Sequence, residues 1–123
     1  ILIDKFRERA NEVASMKVIG EVKGKNVLII DDLVDTAGTL CKAADHLMME
    51  GAASVRAVVT HPILSGPAYE RIEESSLAEL ITTNTIPLRG HSSKIKVLSV
   101  APMLARAFEK ITNYESISSL YKQ

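Results

Sequence analysis

The run NVLIIDDLVDTAGTL, Asn26 to Leu40, constrains the fold more than any other part of the chain. Val27–Ile30 is continuously apolar, the pattern of a strand covered on both faces of a parallel sheet. It leads straight into the adjacent carboxylates Asp31 and Asp32. A third acid, Asp35, precedes the small-residue turn Thr36-Ala37-Gly38-Thr39. Beyond the turn, Leu40, Ala43, Ala44, Leu47 and Met48 recur at helical spacing as far as Gly51. Ligands of open α/β sheets sit outside the carboxyl ends of the strands, and strand, acids, turn and helix occur here in the order that builds such a site.

The two halves of this run ask for different partners. A helix N-terminus offers free backbone N–H groups and the positive end of a dipole, so it favours phosphate. Gly38 allows close approach of the backbone, and Thr36 and Thr39 add hydroxyl donors. Carboxylates only accept, so Asp31 and Asp32 need hydroxyls or a divalent cation. A ligand with a vicinal diol at one end and a phosphate monoester at the other satisfies both, and ribose 5-phosphate is such a ligand. The plainer reading makes Asp35 or Thr36 a helix cap and leaves the aspartates as solvated strand ends. A single acid at a helix start is usually a cap, but three acids with a Thr-x-x-Thr turn ask for more.

Elsewhere strands and helices alternate. Ile1–Asp4 reads as a short strand, KFRERANE as an exposed basic loop, and KVIGEV as a strand before a turn at Lys23-Gly24-Lys25. VRAVVTH is the next strand, PAYERIEESS a short helix beginning on Pro67, and AELITTNTI and IKVLSVA each contain a strand. Pro102 opens a helix over MLARAFEKITN with Leu104, Ala107, Phe108 and Ile111 on one face. The pattern predicts an α/β domain with a mostly parallel sheet flanked by helices. At 123 residues there is room for one domain with a real core. The chain opens directly on the apolar ILID, without Met, and reads as a piece of a longer chain.

Fifteen acids balance fifteen bases, which argues against a nucleic-acid partner, since such domains carry a basic excess. Anion recognition must then be local. Cys41 is the only cysteine, so an intrachain disulfide and a thiolate metal cluster are excluded, and a reducing, cytoplasmic setting is expected. Its place near a helix start could lower a thiol pKa, though packing is the favoured role. No apolar run approaches a membrane span and no signal-peptide pattern opens the chain, so no membrane partner is expected. His46, His61 and His91 lack metal-ligand spacing.

VLIIDDLVDTAGTL resembles the phosphoribosyl pyrophosphate binding signature of type I phosphoribosyltransferases and of the ribose-phosphate pyrophosphokinase family. IDKFRERANE, THPILSGPAYERI and the terminal SISSLY look like the pyrophosphokinases in particular, over the later part of that family's chain. The resemblance implies a type I phosphoribosyltransferase-like domain over residues 1–123, lacking its first strand and helix. It also implies a catalytic flexible loop over 4–12 and a tail over 114–123. By the same resemblance Lys5 is the main catalytic residue and Arg7 its partner, Asp31 and Asp32 take the ribose hydroxyls, and Asp35, Thr36, Ala37, Gly38 and Thr39 hold the 5-phosphate. Ser116 and Ser118 would belong to a regulatory site for phosphate or ADP between subunits.

The implied reaction transfers pyrophosphate from MgATP to the anomeric hydroxyl of ribose 5-phosphate, giving phosphoribosyl pyrophosphate and AMP for nucleotide biosynthesis. Mg²⁺ enters with ATP, and the protein's metal ligands, adenine contacts and pyrophosphate loop lie in the family's earlier half, so this chain alone is expected to be inactive. The family's usual assembly is a homohexamer. Phe6 departs from the consecutive basic residues usual after the loop lysine. A salvage phosphoribosyltransferase uses a similar acid-acid-turn motif but lacks the DKFR and SISSLY segments. A noncatalytic regulatory subunit would be expected to degrade the phosphate turn or lose the lysine, and both are intact here.

Overall fold

Four parallel strands carry the site. In a computed structural model, residues 2–6 and 15–120 are described, with 2–6 and 15–19 as backbone alone. The sheet runs β3 (Asn26–Val34), β4 (Ser54–Pro62), β5 (Glu79–Thr83) and β6 (Ile95–Leu98), neighbours in that order. Its register sets Val27 against Val55, Ile29 against Ala57, Ala57 against Leu80 and Leu80 against Ile95. Period two therefore gathers Val55, Ala57, Val59, Leu80 and Thr82 on one face, where all are buried. Helices α1 (Gly38–Met49) and α2 (Ala68–Glu74) cover that face with Leu40, Ala44, Leu47, Ala68 and Ile72. Leu47, Ile72 and Leu80 are each fully buried, contributing about 1.5–3 kcal/mol apiece. The one hydroxyl in this layer is satisfied: Thr82 donates to the Val59 carbonyl at 2.8 Å.

The second face does not match the expectation of a strand covered on both sides. Leu28 is 52% and Ile30 76% exposed, and Arg56 and Glu79 pair across that face at 3.6 Å. Topology supplies the reason. Successive parallel strands are added in one direction, and right-handed crossovers then put α1 and α2 on the same side. β3 is in addition a terminal strand of the sheet. The last helix, α3 (Ala101–Thr112), begins with proline in its first turn as expected, but buries none of its residues, so Leu104, Phe108 and Ile111 form an exposed apolar stripe.

Two further strands stand apart as an antiparallel pair, β1 (Leu2–Phe6) with β2 (Ser15–Ile19). Cross-strand pairing carries β1 past the expected end at Asp4, so Asp4, Lys5 and Phe6, assigned to the flexible loop from sequence, lie in a strand. Lys5 sits opposite Met16. Arg7 and the rest of the expected loop lie outside the described residues. β2 stops at Ile19, short of the expected KVIGEV strand, where Gly20 takes φ 121.

The segment between β5 and β6 is tied to α2. Tyr69 Oη accepts from the Arg89 N–H at 3.1 Å, and Glu73 accepts from the Ser93 N–H at 2.8 Å. Hydrogen bonds from the Ser92 hydroxyl and then the Ser93 N–H hold the exposed Glu73 carboxyl below its ordinary pKa. Lys94 Nζ donates to the carbonyls of Ile72, Glu73 and Ser75, closing the C-terminal end of α2. Among the described residues no helix is long and apolar enough to cross a membrane.

Candidate functional site

β3 is longer than its apolar core because it stays paired with β4 as far as Leu33 opposite His61 and Val34 opposite Pro62. Both aspartates are therefore strand residues, and alternation sends them to opposite faces. Asp31 shares the helix-covered side with Val27 and Ile29, and all three line a groove of about 650 Å³. Asp32 is outside that lining, although Leu28 and Ile30, which share its side of the strand, border the groove along the β3 edge. The two are linked locally, Asp31 Oδ1 accepting from the Asp32 N–H at 3.0 Å. The groove continues along the Asp35–Thr39 turn and the Leu40, Ala43 and Leu47 side of α1. Asp31, Asp35, Thr36, Ala37, Gly38 and Thr39 thus meet at one cavity.

The turn departs from the expectation built on Gly38. Gly38 is already the first residue of α1, and the left-handed residue is Ala37, with φ 57 and ψ 1. That conformation costs an L-residue about 1–2 kcal/mol. Burial of Ala37 and the bond from the Cys41 N–H to its carbonyl, at 2.9 Å, hold it in place. Gly38 serves in a different way: a Cβ there would stand 3.1 Å from Arg71 Nη1 and press on the guanidinium.

No side chain caps the start of α1, and no acid occupies its first turn. The capping role considered for Asp35 and Thr36 is therefore not taken, and the first N–H groups of the helix are left for a ligand anion. Asp35 is engaged elsewhere. Its carboxylate accepts from the Ser65 hydroxyl, and its carbonyl from the Ser65 N–H at 3.1 Å. The Val34 carbonyl accepts from the N–H groups of Ile63 and Leu64 at 3.0 and 3.2 Å. The β4–α2 connection therefore backs the turn, itself bent through a left-handed Leu64 with φ 49. From α2, Arg71 Nη1 donates to the Thr36 carbonyl at 3.0 Å.

Cys41 is buried in α1, and desolvation raises its thiol pKa despite a hydrogen bond to Ser75. That fits packing rather than reactivity. His61 Nδ1 is 2.9 Å from Thr85 Oγ1, His46 lies 4.0 Å from Glu50, and His91 is exposed. Ser116 precedes a 3₁₀ turn at Ile117–Leu120 and Ser118 lies within it, Ser116 Oγ accepting from the Ser118 N–H at 3.2 Å. Among the described residues no group of three or more His, Cys, Asp or Glu side chains is placed to hold a metal ion. Sequence reasoning assigned no role to Arg71 or Ser65. The only available signal was the segment THPILSGPAYERI, in which both occur.

A parallel sheet whose terminal strand delivers Asp31 and an uncapped helix start to one groove defines a domain of the phosphoribosyltransferase type. The chain belongs to the family described as the phosphoribosyl synthetase-associated domain, whose model matches residues 6–122. It is 57% identical over 121 residues to a ribose-phosphate pyrophosphokinase of Helicobacter hepaticus, covering 98% of this chain and 39% of the relative. The corresponding protein of Wolinella succinogenes is 51% identical over the same shares. Phosphoribosylpyrophosphate synthetase from Mycobacterium smegmatis superimposes with a TM-score of 0.79 at 37% identity, covering 84% of this chain and 35% of that one. The chain thus spans about 39% of the length of the curated relatives it matches.

Proposed function

We propose that this chain is the ribose 5-phosphate-holding part of a ribose-phosphate pyrophosphokinase. The observation that carries the reading is the shared groove of Asp31 and the uncapped, left-handed start of α1. The helix N–H groups and the Thr36 and Thr39 hydroxyls take the 5-phosphate. Asp31 takes the ribose hydroxyls from within the groove, and Asp32, next to it but outside the lining, is the lesser contact. Asp35 shapes the turn through Ser65, whose hydroxyl engages one of its carboxylate oxygens.

In the proposed reaction the anomeric hydroxyl attacks the β-phosphorus of MgATP. The bond from that phosphorus to the α-bridging oxygen breaks, AMP departs, and the hydroxyl proton is lost. Positioning and charge neutralisation carry most of such a transfer. Lys5 and Arg7 are assigned to the transferring phosphates. By the family resemblance magnesium enters with the nucleotide substrate, and its protein ligands belong to the family's earlier half. The exposed Leu28 and Ile30 and the terminal position of β3 support completion of the sheet by a further part of a longer chain. Turnover then needs that part, as do assembly into a homohexamer, a phosphate or ADP site at Ser116 and Ser118, and service in cytoplasmic nucleotide synthesis.

Calorimetric titration of ribose 5-phosphate, ribose and inorganic phosphate tests the reading. Ribose 5-phosphate should bind at least about 10-fold more tightly than either fragment, because two sets of contacts act within one ligand. Equal affinity for ribose 5-phosphate and inorganic phosphate would remove the hydroxyl role of Asp31. Robust AMP formation by the 123-residue chain with MgATP and ribose 5-phosphate would refute the dependence on a further part.

A further inference from the structure

We propose that Arg71 is a positioning residue for the phosphate-holding turn, aiming the Ala37 N–H into the groove and lending it positive charge from behind. The inference rests on the reading of the turn as a phosphate seat. Arg71 belongs to α2, 35 residues away in sequence, yet its Nη1 donates to the Thr36 carbonyl at 3.0 Å. The Thr36 carbonyl and the Ala37 N–H are two ends of one planar trans peptide and point in opposite directions. Pinning the carbonyl toward α2 therefore turns the N–H away from α2. Thr36, Ala37, Gly38 and Thr39 all line the groove, whereas Arg71 lies behind them, outside the lining.

The arrangement also answers an electrostatic difficulty. Asp31 and Asp35 line the same groove that must admit a phosphate. Ser65 engages the Asp35 carboxylate but does not neutralise it. Arg71 adds a permanent cation in direct contact with the turn. Bonded to the carbonyl, the guanidinium polarises the peptide and makes its N–H a better donor. Gly38 completes the device, since its missing Cβ leaves the space that Arg71 Nη1 approaches.

A purely structural role would be to hold the turn against α2 for stability, and the test separates the two. Inorganic phosphate, ribose and ribose 5-phosphate are titrated into the full chain carrying Arg71→Ala, Arg71→Gln or Arg71→Lys, with melting temperature measured alongside. Arg71→Ala should weaken ribose 5-phosphate and inorganic phosphate by about 10-fold each, the scale of one charge-assisted hydrogen bond, and leave ribose unchanged. Arg71→Lys, which keeps the charge and a donor, should recover most of the loss, while Arg71→Gln, which keeps only a donor, should not. If Arg71→Ala fails to fold, the Lys–Gln contrast still reads the charge. Unchanged phosphate affinity in Arg71→Gln, or parallel losses for ribose and phosphate that track melting temperature, would overturn the proposal. A wild-type chain that binds no ribose 5-phosphate would instead sink the phosphate-seat reading and this inference with it.

Discussion

Lys94→Met should lower stability by far more than an ordinary surface substitution. The Lys94 ammonium donates to the carbonyls of Ile72 at 3.2 Å, Glu73 at 2.8 Å and Ser75 at 2.7 Å. These belong to the last turn and C-cap of α2, a seven-residue helix whose N-cap, Pro67, supplies no side-chain hydrogen bond. Such a helix is far too short to be stable alone. A hydrogen bond to a charged group is worth about 1.5–3 kcal/mol when the alternative is an unsatisfied buried atom. Lys94 is half-buried and water can replace part of the set, so about 2 kcal/mol is expected rather than three full bonds. For a chain of this size that corresponds to a melting temperature lower by about 8 °C. Methionine keeps the apolar stem, so the loss reads the ammonium. Thermal melts followed by circular dichroism measure the shift, and amide exchange at Ser75, whose N–H closes the last turn of α2 on the Arg71 carbonyl, should accelerate. A Lys94→Met protein melting within about 2 °C of wild type, well below this scale, would show that solvent serves those carbonyls equally well.

Other substitutions probe the site. Asp31→Asn should weaken ribose 5-phosphate by about 10-fold and Asp32→Asn by less than about 3-fold, with inorganic phosphate unaffected by either; titration showing the reverse order would remove the groove assignment. Ala37→Val should cost at least about 2 kcal/mol in urea unfolding while Ala37→Gly stays near neutral, because a β-branched residue is excluded from the left-handed region that glycine enters freely; equal stabilities would contradict the conformation found there. The raised Cys41 pKa means that the folded state holds the thiol proton more tightly than the unfolded chain. The contribution is therefore complete below the ordinary thiol pKa and lost as pH rises through the folded value. Cys41→Ala should flatten that alkaline decline, and iodoacetamide should label native Cys41 more slowly than the urea-unfolded chain.

The central run was legible because its chemistry changes within a few residues. Four apolar positions, three acids and a small-residue turn leave few arrangements, and β3, the turn and α1 follow it. Individual conformations were less accessible. Nothing in Thr-Ala-Gly-Thr requires that alanine rather than glycine take the left-handed position. That choice is set by tertiary burial of Ala37 and by a bond from Cys41. The separation of Asp31 from Asp32 could have been read from period two once the strand was known to extend to Val34. That extension depends on partners in β4, which the local pattern does not contain. Arg71 and Ser65 meet the turn from across the fold, and no spacing rule announces a contact over 35 residues. The bare face of β3 came from a global property, strand order with one crossover hand, while its apolar run spoke only of coverage.

The terminal position of β3 links substrate to solubility. The strand that offers Asp31 also offers a row of main-chain donors and acceptors with no neighbour on one side among the described residues, beside the exposed Leu28 and Ile30. Free strand edges recruit other edges. Two copies meeting there would add a strand along the wall of the groove that a pentose phosphate enters. Self-association and ligand occupancy are then rivals for one strand, and ribose 5-phosphate should act on this chain as an inhibitor of its own clumping.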